Sequence, residues 1–183
     1  MTTSRLTLWT IGHSTRPIEK FVGLLNAHGI RQLVDVRTVP KSRYNPQFNT
    51  SQLAFSLAEA GIGYRHTPEL GGLRKPRKDS INTGWHNDSF RGYADYMQTV
   101  QFRNAFEELL AYGTNTSTVI MCAEAVPWRC HRSLIADALV SHSWEVRHIL
   151  SETKADLHRM TTFAKYENDL LSYPHLDSAP SHF

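Results

Sequence analysis

The chain has 183 residues, of which 40% are hydrophobic and 20% are charged, and this size and composition are typical of one globular domain. No apolar run approaches the roughly 18 residues that a membrane-spanning helix needs, and no apolar signal-peptide region follows the N-terminus. Two cysteines are too few for a disulfide scaffold. We therefore expect a cytoplasmic protein that does not associate with a membrane.

The formal net charge is only +3, but the basic residues are concentrated in one region. Residues 37–91 contain nine Lys and Arg against four Asp and Glu, whereas the rest of the chain contains eleven against thirteen. Such an excess favours an anionic ligand in this region. A solvated loop that happens to be basic would have the same composition, so both interpretations stay open at this point.

Short apolar strands alternate with amphipathic helices along the chain. Strands are predicted at 6–11, 32–36, 62–66, 118–122 and 146–149. Helices are predicted from 17, over 51–60, once or twice between 90 and 112, over 130–141, and from 151 to 171. The remainder, 172–183, is rich in Pro, Ser and His and is expected to be a flexible tail, which leaves 1–171 as a single domain.

This alternation predicts an α/β fold, with a mostly parallel sheet of about five strands and helices on both faces, because parallel strands need crossover connections. In such sheets, ligands bind beyond the carboxyl ends of the strands. The polar clusters of this chain directly follow predicted strands, at residues 12–14, 35–37, 66 and 122–132. The topology therefore brings them to one edge of the sheet, where we expect the functional site.

Cys130 is the first candidate for a reactive group, because it falls where a predicted helix begins. The free N–H groups and positive dipole end of a helix start stabilise a thiolate, and His131 and Arg132 add positive charge nearby. Cys130 is therefore placed as a nucleophile would be. The alternative is a small buried residue at a strand-to-helix corner, and buried packing is what we expect of Cys122, which ends an apolar strand.

Glu124 and His131 are the candidate acid–base groups. Glu124 lies two residues beyond a strand end, where it can transfer a proton or hold a hydroxyl-bearing ligand. It can equally serve as a structural partner for Arg129 or Arg132. His131 is an acid–base candidate because it also lies in the segment after this strand, although a histidine beside a helix start is more often structural.

Several further residues are candidates for ligand binding. Arginine presents forked donors that suit phosphate or carboxylate groups, and a turn ahead of a helix can cradle an anion with its backbone N–H groups. Asp35 ends an apolar strand and needs a partner, so an Asp35–Arg37 or Asp35–Arg132 pair is the structural alternative. The candidate ligand-binding residues are His13, Ser14, Asp35, Arg37, Arg43, His66 and Arg132.

We expect neither a metal ion nor a cofactor. A metal site needs three or four ligands within reach of one another. The spacing of Cys122, Cys130 and His131 matches no familiar zinc pattern. His13 and His66 would complete a set only if the fold brought them together with the cysteines.

Five ordered motifs make the chain similar to a known family. They are GHS at 12–14, DVRxxPxSRxNPxF at 35–48, YxHxPxLGG at 64–72, CxE at 122–124 and CHR at 130–132. With these motifs the chain resembles the domain-of-unknown-function 488 family over nearly its whole length. The resemblance implies an intracellular prokaryotic α/β protein, and it brings no established reaction.

Three functions are compatible with these residues. The first is an enzyme, a hydrolase or a transferase, that acts on a nucleotide or nucleic acid and uses Cys130 or Glu124 as its reactive group. The second is a nucleic-acid-binding module without catalysis, built on the basic segment 37–91 and its aromatic residues. The third is a redox or small-molecule sensor built on the two thiols. The oligomeric state does not follow from the sequence.

Overall fold

The structure is a computed structural model, and it describes residues 5–175. Its strands are β1 (Thr7–Gly12), β2 (Gln32–Asp35), β3 (Gly63–His66), β4 (Thr118–Cys122), β5 (Glu145–Ile149), β6 (Ala155–Leu157), β7 (Lys165–Glu167) and β8 (Leu170–Ser172). Its helices are α1 (Ile18–Ala27), α2 (Thr50–Glu59), α3 (Asp88–Tyr96), α4 (Val100–Asn115) and α5 (Arg132–Ser141). Strands and helices alternate as far as β5, as the sequence predicts.

The main sheet has six strands in the order β3-β2-β4-β1-β5-β6. The first five strands in this order are parallel, and β6 pairs with β5 in the antiparallel direction. The predicted α/β fold with a mostly parallel sheet is therefore confirmed. The central position of β1 and β4 places their carboxyl ends next to each other and next to the end of β2.

Helices cover both faces of this sheet. Alternate side chains of β4 enter opposite cores, since Val119 and Met121 pack with α1 and α2 while Ile120 and Cys122 pack with α4 and α5. Such strands, buried on both sides, read as continuous apolar runs, which is why β4 is so easily recognised in the sequence. Cys122 thus points into the same core as α5.

The predicted helix from 151 to 171 is wrong, because this segment forms β6 and the β7–β8 hairpin. The pairing of β6 with β5 extends the main sheet, and this tertiary contact overrides the local preference for a helix. Asn168 and Asp169 form the hairpin turn with φ of 51° and 60°. Two consecutive residues with positive φ are typical of a two-residue hairpin turn, and Asn and Asp tolerate this conformation.

The segment after β5 is held by a buried carboxylate on α5. Asp137 accepts hydrogen bonds from His158, from the backbone and hydroxyl of Thr161, and from the hydroxyl of Tyr173. Tyr173 is fully buried. The tail predicted from residue 172 is therefore corrected, because the chain belongs to the fold at least as far as Tyr173, while 176–183 lie outside the described residues.

Across residues 5–175, no helix combines the length and apolar character required to cross a membrane.

Candidate functional site

The site lies at the carboxyl ends of β1, β2 and β4. Gly12 is level with Cys122 in the β1–β4 pair, and Asp35 is level with Met121 in the β2–β4 pair, so the segments after these strands meet. The loop 123–129 passes directly over the end of β1. A Cβ atom on Gly12 would collide with the Glu124 carbonyl, which explains why glycine is needed there.

A cleft of about 500 Å³, which we call the main cleft, opens at this edge. Three chain segments form its walls, namely the turn after β1, the loop after β2 and the loop after β4. The residues that line it are His13, Ser14, Thr15, Arg37, Val39, Lys41, Ser42, Asn45, Ala123, Glu124 and Ala125. A larger cleft of about 620 Å³ lies between α4, α5 and the β7–β8 hairpin, but it is remote from the strand ends and is lined mostly by side chains of these elements.

A smaller pocket of about 190 Å³, which we call the side pocket, shares Glu124 with the main cleft. Its walls combine aromatic rings with the polar residues that follow β4. They are Gly72, Leu73, Ser89, Phe90, Tyr93, Glu124, Arg129, Cys130 and His131. Glu124 is exposed and therefore reaches both spaces.

Asp35 and Arg37 form a buried ion pair with two parallel contacts. Arg37 Nε donates to Asp35 Oδ1 over 2.8 Å and Arg37 Nη2 donates to Oδ2 over 2.6 Å. Nη2 also donates to the Phe48 carbonyl, and Tyr64 donates its hydroxyl to Asp35. The Asp35–Arg37 pair, which was the structural alternative for Asp35, is therefore the arrangement found. Arg37 lines the main cleft, but most of its N–H donors are already used in these contacts.

His13 orients Arg37. Its Nδ1 is 2.7 Å from the Ser14 carbonyl and must donate, so Nε2 is left to accept from Arg37 Nη1 over 3.3 Å. The ring also stacks on Phe48 at 4.2 Å. Burial lowers the pKa of His13 to about 4, because the charged imidazolium would lose its hydration beside a guanidinium.

The expected backbone cradle for an anion is not formed by His13 and Ser14. Their N–H groups donate to the carbonyls of Cys122 and Ala123 and join the turn to the loop after β4. Ser14 contributes its side chain to the main cleft instead. Its φ of 51° is uncommon for a residue other than glycine, and such local strain is typical of functional sites.

Two other candidates lie outside the lining of the main cleft. Arg43 is exposed on the loop after β2. His66 places Nε2 2.7 Å from the Arg37 carbonyl and so positions the backbone of that residue. His66 therefore supports the wall of the cleft from the neighbouring strand.

Cys122 and Cys130 are in direct contact, with their sulfur atoms 2.8 Å apart. Both are free thiols and both are buried. The helix α5 begins at Arg132, two residues later than the sequence predicts, although the Arg132 N–H still approaches Cys130 Sγ at 3.5 Å. Cys130 lines the side pocket, whereas Cys122 lies behind it.

The thiol pair titrates in the opposite sense to the one that the sequence predicts. The hydrogen bond from the Cys130 thiol and the guanidinium of Arg132 lower the pKa of Cys122. That same hydrogen bond and the burial of Cys130 raise the pKa of Cys130. The helix start favours a Cys130 thiolate, whereas the contact with Cys122 and the burial oppose it. The reactivity of Cys130 therefore stays a prediction.

Arg132 is a buried cation, only 1% exposed. Its Nη2 donates to the carbonyls of Glu124 and Ala125 over 3.2 and 3.3 Å. Within residues 5–175, its Nε and Nη1 have no hydrogen-bond partner and no carboxylate pairs with it. Arg132 lies beneath the loop after β4 and does not line the main cleft.

Comparison with known proteins gives one match. The model of the family described as Domain of unknown function DUF488 matches residues 17–139, which is more than half of the chain. The chain belongs to the DUF488 family. No curated protein and no solved structure matches it.

The matched part of this DUF488 chain contains most of the site. It includes β2, β3 and β4 with the loops that follow them, and therefore Arg37, Glu124 and Cys130. The strands β1 and β5 and the β7–β8 hairpin lie outside the match. His13 and Ser14 thus come from a part of the chain that the family model does not cover.

His131 is tied to the end of β2 and lies beside Cys130. Its Nε2 lies 3.2 Å from the Val36 carbonyl and must donate, which leaves Nδ1 as an acceptor 3.5 Å from Cys130 Sγ. Burial lowers the pKa of His131 to about 4. Gly72 allows this arrangement, because a Cβ atom there would press on the imidazole ring at 3.0 Å.

The site of this DUF488 chain also contains residues that the sequence did not single out. Lys41 lines the main cleft beside Asn45, which belongs to the recognised loop motif, and Tyr93 lines the side pocket beside Phe90, one of the aromatic residues of segment 37–91. The loop motif after β2 was the available signal for Lys41, whereas nothing in the sequence relates α3 to the strand ends. Within the described part of the chain, no group of three or more His, Cys, Asp and Glu side chains is placed to hold a metal ion.

Proposed function

We propose that this protein is an enzyme, a hydrolase or a transferase, that acts on a nucleotide or nucleic acid, with its site at the carboxyl ends of β1, β2 and β4. The observation that supports this function is the position of Glu124, a carboxylate between a polar cleft and a pocket with aromatic walls. A nucleotide has the same division, with a phosphate at one end and a flat aromatic base at the other.

The main cleft suits the phosphate. Lys41 supplies a flexible positive charge, and Ser14 and Ser42 supply hydroxyl donors. Arg37 adds its remaining donor from a fixed position, since Asp35 and His13 hold the guanidinium. Charge-assisted hydrogen bonds of this kind are the strong ones in phosphate recognition.

The side pocket suits the base. Phe90 offers aromatic surface for stacking, the buried Tyr93 lies in the wall of the pocket, and Arg129 adds a guanidinium. Glu124 then lies between the phosphate and the base, where a carboxylate acts as a general base toward water or a ligand hydroxyl. We assign the reactive role toward the nucleotide to Glu124 rather than to Cys130, because Glu124 is exposed to both spaces whereas Cys130 is buried.

The ionic contacts of segment 37–91 favour this pocket over an extended nucleic-acid track. Four of its nine basic side chains pair with carboxylates: Arg37 with Asp35, Arg65 with Glu108, Arg77 with Asp79, and Arg91 with Asp88. Another, Arg74, lies over the ring of Tyr96 at 3.6 Å. Trp85 packs inward against Phe90 and Phe163. We place the enzyme in the cytoplasm, where structural disulfides are rare.

Titration calorimetry with nucleoside monophosphates tests the binding. We expect Lys41→Ala to weaken the affinity roughly tenfold, which is about 1.4 kcal/mol, the scale of a charge-assisted contact. Lys78→Ala is the matched control, because Lys78 belongs to the same basic segment and is exposed outside both pockets. Its affinity should equal that of the unmodified protein.

Product analysis tests the catalysis. Glu124→Gln should bind the same nucleotides with similar affinity and lose turnover, because the amide keeps the shape and removes the base. A protein that binds no mononucleotide but binds DNA or RNA with a steep salt dependence would instead be a non-catalytic module. Turnover that survives in Glu124→Gln would remove the role given to this residue.

A further inference from the structure

We propose that Cys122 and Cys130 are a redox-active dithiol that exchanges with small disulfides and closes to an internal disulfide over the loop 123–129. Their sulfur atoms are already in contact at 2.8 Å, so bond formation needs only a small adjustment of the side chains. The two residues lie on different elements, the end of β4 and the turn before α5. This inference is independent of the nucleotide-directed function.

The buried Arg132 is the first argument for thiol chemistry. A buried cation needs a negative partner, and no described carboxylate pairs with Arg132. The thiol pair can supply that partner, because it can release one proton and share the other between the two sulfurs. The hydrogen bond from Cys130 and, to a smaller extent, the guanidinium lower the pKa of Cys122, which is the direction expected for such a pairing.

Different access to the two sulfurs is the second argument. Cys130 lines the side pocket, which has a volume of about 190 Å³, whereas Cys122 lies behind it and is 2% exposed. A small disulfide that enters the side pocket therefore meets Cys130 first. Cys122 is then placed to attack the mixed disulfide from the core side. One accessible and one resolving sulfur are what a dithiol exchange reaction requires.

The reaction balances with a small disulfide as the oxidant. The pair first loses one proton to solvent, and the remaining proton moves from Cys130 to Cys122. The Cys130 thiolate attacks the disulfide, its S–S bond breaks, and one thiolate leaves and takes a proton from solvent. Cys122 then attacks Cys130 Sγ, its proton goes to the second leaving thiolate, and the internal disulfide forms. Two protein thiols are oxidised and one small disulfide is reduced to two thiols.

The disulfide would act directly on the candidate site. It would close a ring over residues 123–129, which carry Glu124 and Arg129, and would fix the wall between the main cleft and the side pocket. It would also remove the negative charge beside Arg132. Oxidation therefore changes both the mobility of Glu124 and the charge beneath it.

Incubation of the folded protein with glutathione disulfide tests the proposal. The reaction is quenched with acid, and any remaining free thiols are alkylated. The intact protein should then carry no alkyl group, and its mass should be lower than that of the reduced, unalkylated protein by two hydrogen atoms. Peptide mapping should show Cys122 joined to Cys130. Reduced glutathione in excess should reverse the change, which a peroxide-type overoxidation would not allow.

Single variants test the order of attack. Cys122→Ser should accumulate a glutathione adduct on Cys130, because no sulfur remains to resolve it. Cys130→Ser should gain no adduct at Cys122 while the protein is folded, and should gain one in urea. The proposal is overturned if the folded, unmodified protein forms no disulfide under conditions in which the unfolded protein does, or if Cys122 in Cys130→Ser reacts as fast when folded as when unfolded.

Discussion

Two buried polar clusters involve residues of α5, and they differ in how completely their hydrogen bonds are satisfied. In the first, which we call the Asp137 network, a continuous chain of contacts runs from Asp137 through His158 and His148 to Thr10. In the second, which we call the thiol cluster, Arg132 lies beside Cys122 and Cys130 with two donors that have no partner in the described structure.

This difference indicates a structural role for the Asp137 network and a chemical role for the thiol cluster. Each ring nitrogen of His148 and His158 has a partner, and the Asp137 carboxylate accepts from three different residues. A satisfied network of this kind stabilises one arrangement and leaves nothing for a ligand. The thiol cluster contains a cation without a carboxylate partner and two titratable sulfurs, so it can change its charge or its bonds without loss of the fold.

The largest expected effect is the loss of the Asp137 network. Asp137→Ala removes one acceptor group and leaves the donors of His158, Thr161 and Tyr173 without a partner in the interior. We expect the free energy of unfolding to fall by about 5 kcal/mol, since each hydrogen bond to a buried charge contributes about 1.5–3 kcal/mol. Urea denaturation measures this value.

The exposed Asp156→Ala is the control for this loss, and it should change the free energy of unfolding by no more than about 0.5 kcal/mol. If Asp137→Ala behaves like Asp156→Ala, the contrast between the two clusters fails. The C-terminal segment would then be held by its apolar contacts alone.

This network also explains why the fold after β5 was not predicted from the sequence. The parallel strands were recognised because strands such as β4 are apolar throughout, and their order placed the polar residues at one edge. The segment after β5 has no such periodicity, and its path depends on contacts of Thr161 and Tyr173 with α5. Contacts over such a separation leave no local pattern, although the turn residues Asn168 and Asp169 were a usable signal.

The candidate site was predicted in position and only partly in chemistry. The alternation of strands and helices along the chain was enough to predict that the segments after β1, β2 and β4 meet at one edge of the sheet. It could not show that the N–H groups of His13 and Ser14 would bind neighbouring carbonyls, or that Cys130 would touch Cys122. These facts depend on side-chain and backbone geometry at a scale of a few ångströms, which residue order does not determine.

A fall in pH is expected to lower the free energy of unfolding by an intermediate amount. Burial lowers the pKa of His148 to about 3 and the pKa values of His13 and His131 to about 4, all from 6.5. All three stay neutral in the folded protein, whereas the unfolded chain binds protons as the pH falls below about 6.5, so stability is present above that pH and is lost below it. The free energy of unfolding should fall by roughly 3–4 kcal/mol between about pH 7 and pH 5.5.

The pH dependence of the free energy of unfolding, measured in single-histidine variants, shows how much of this loss comes from His148 in the Asp137 network. His148→Gln should keep about two thirds of the pH dependence, because His13 and His131 still contribute, whatever its stability at neutral pH. His86→Gln changes an exposed histidine and should keep the full slope. An unchanged slope in His148→Gln would mean that this residue gains its proton without unfolding, and that the Asp137 network tolerates a charge.

The smallest expected effect on stability is that of Arg132, and it is the most informative. Arg132→Met removes a buried charge that has no carboxylate partner, so the loss of its contacts with Glu124 and Ala125 is offset by the relief of burying a cation. We expect the free energy of unfolding to change by less than about 1 kcal/mol. Arg37→Met is the matched control and should cost about 3–5 kcal/mol, because it leaves the Asp35 carboxylate buried without its partner.

The same Arg132→Met variant should react differently with glutathione disulfide. Without the guanidinium, the pKa of the thiol pair rises, and the rate at which the internal disulfide forms at neutral pH should fall about tenfold, which corresponds to one pKa unit. Arg132→Lys keeps a positive charge and should recover most of the rate. A variant that unfolds as readily as Arg37→Met, with an unchanged exchange rate in its folded form, would make Arg132 a structural residue. The thiol cluster would then have a structural role, like the Asp137 network.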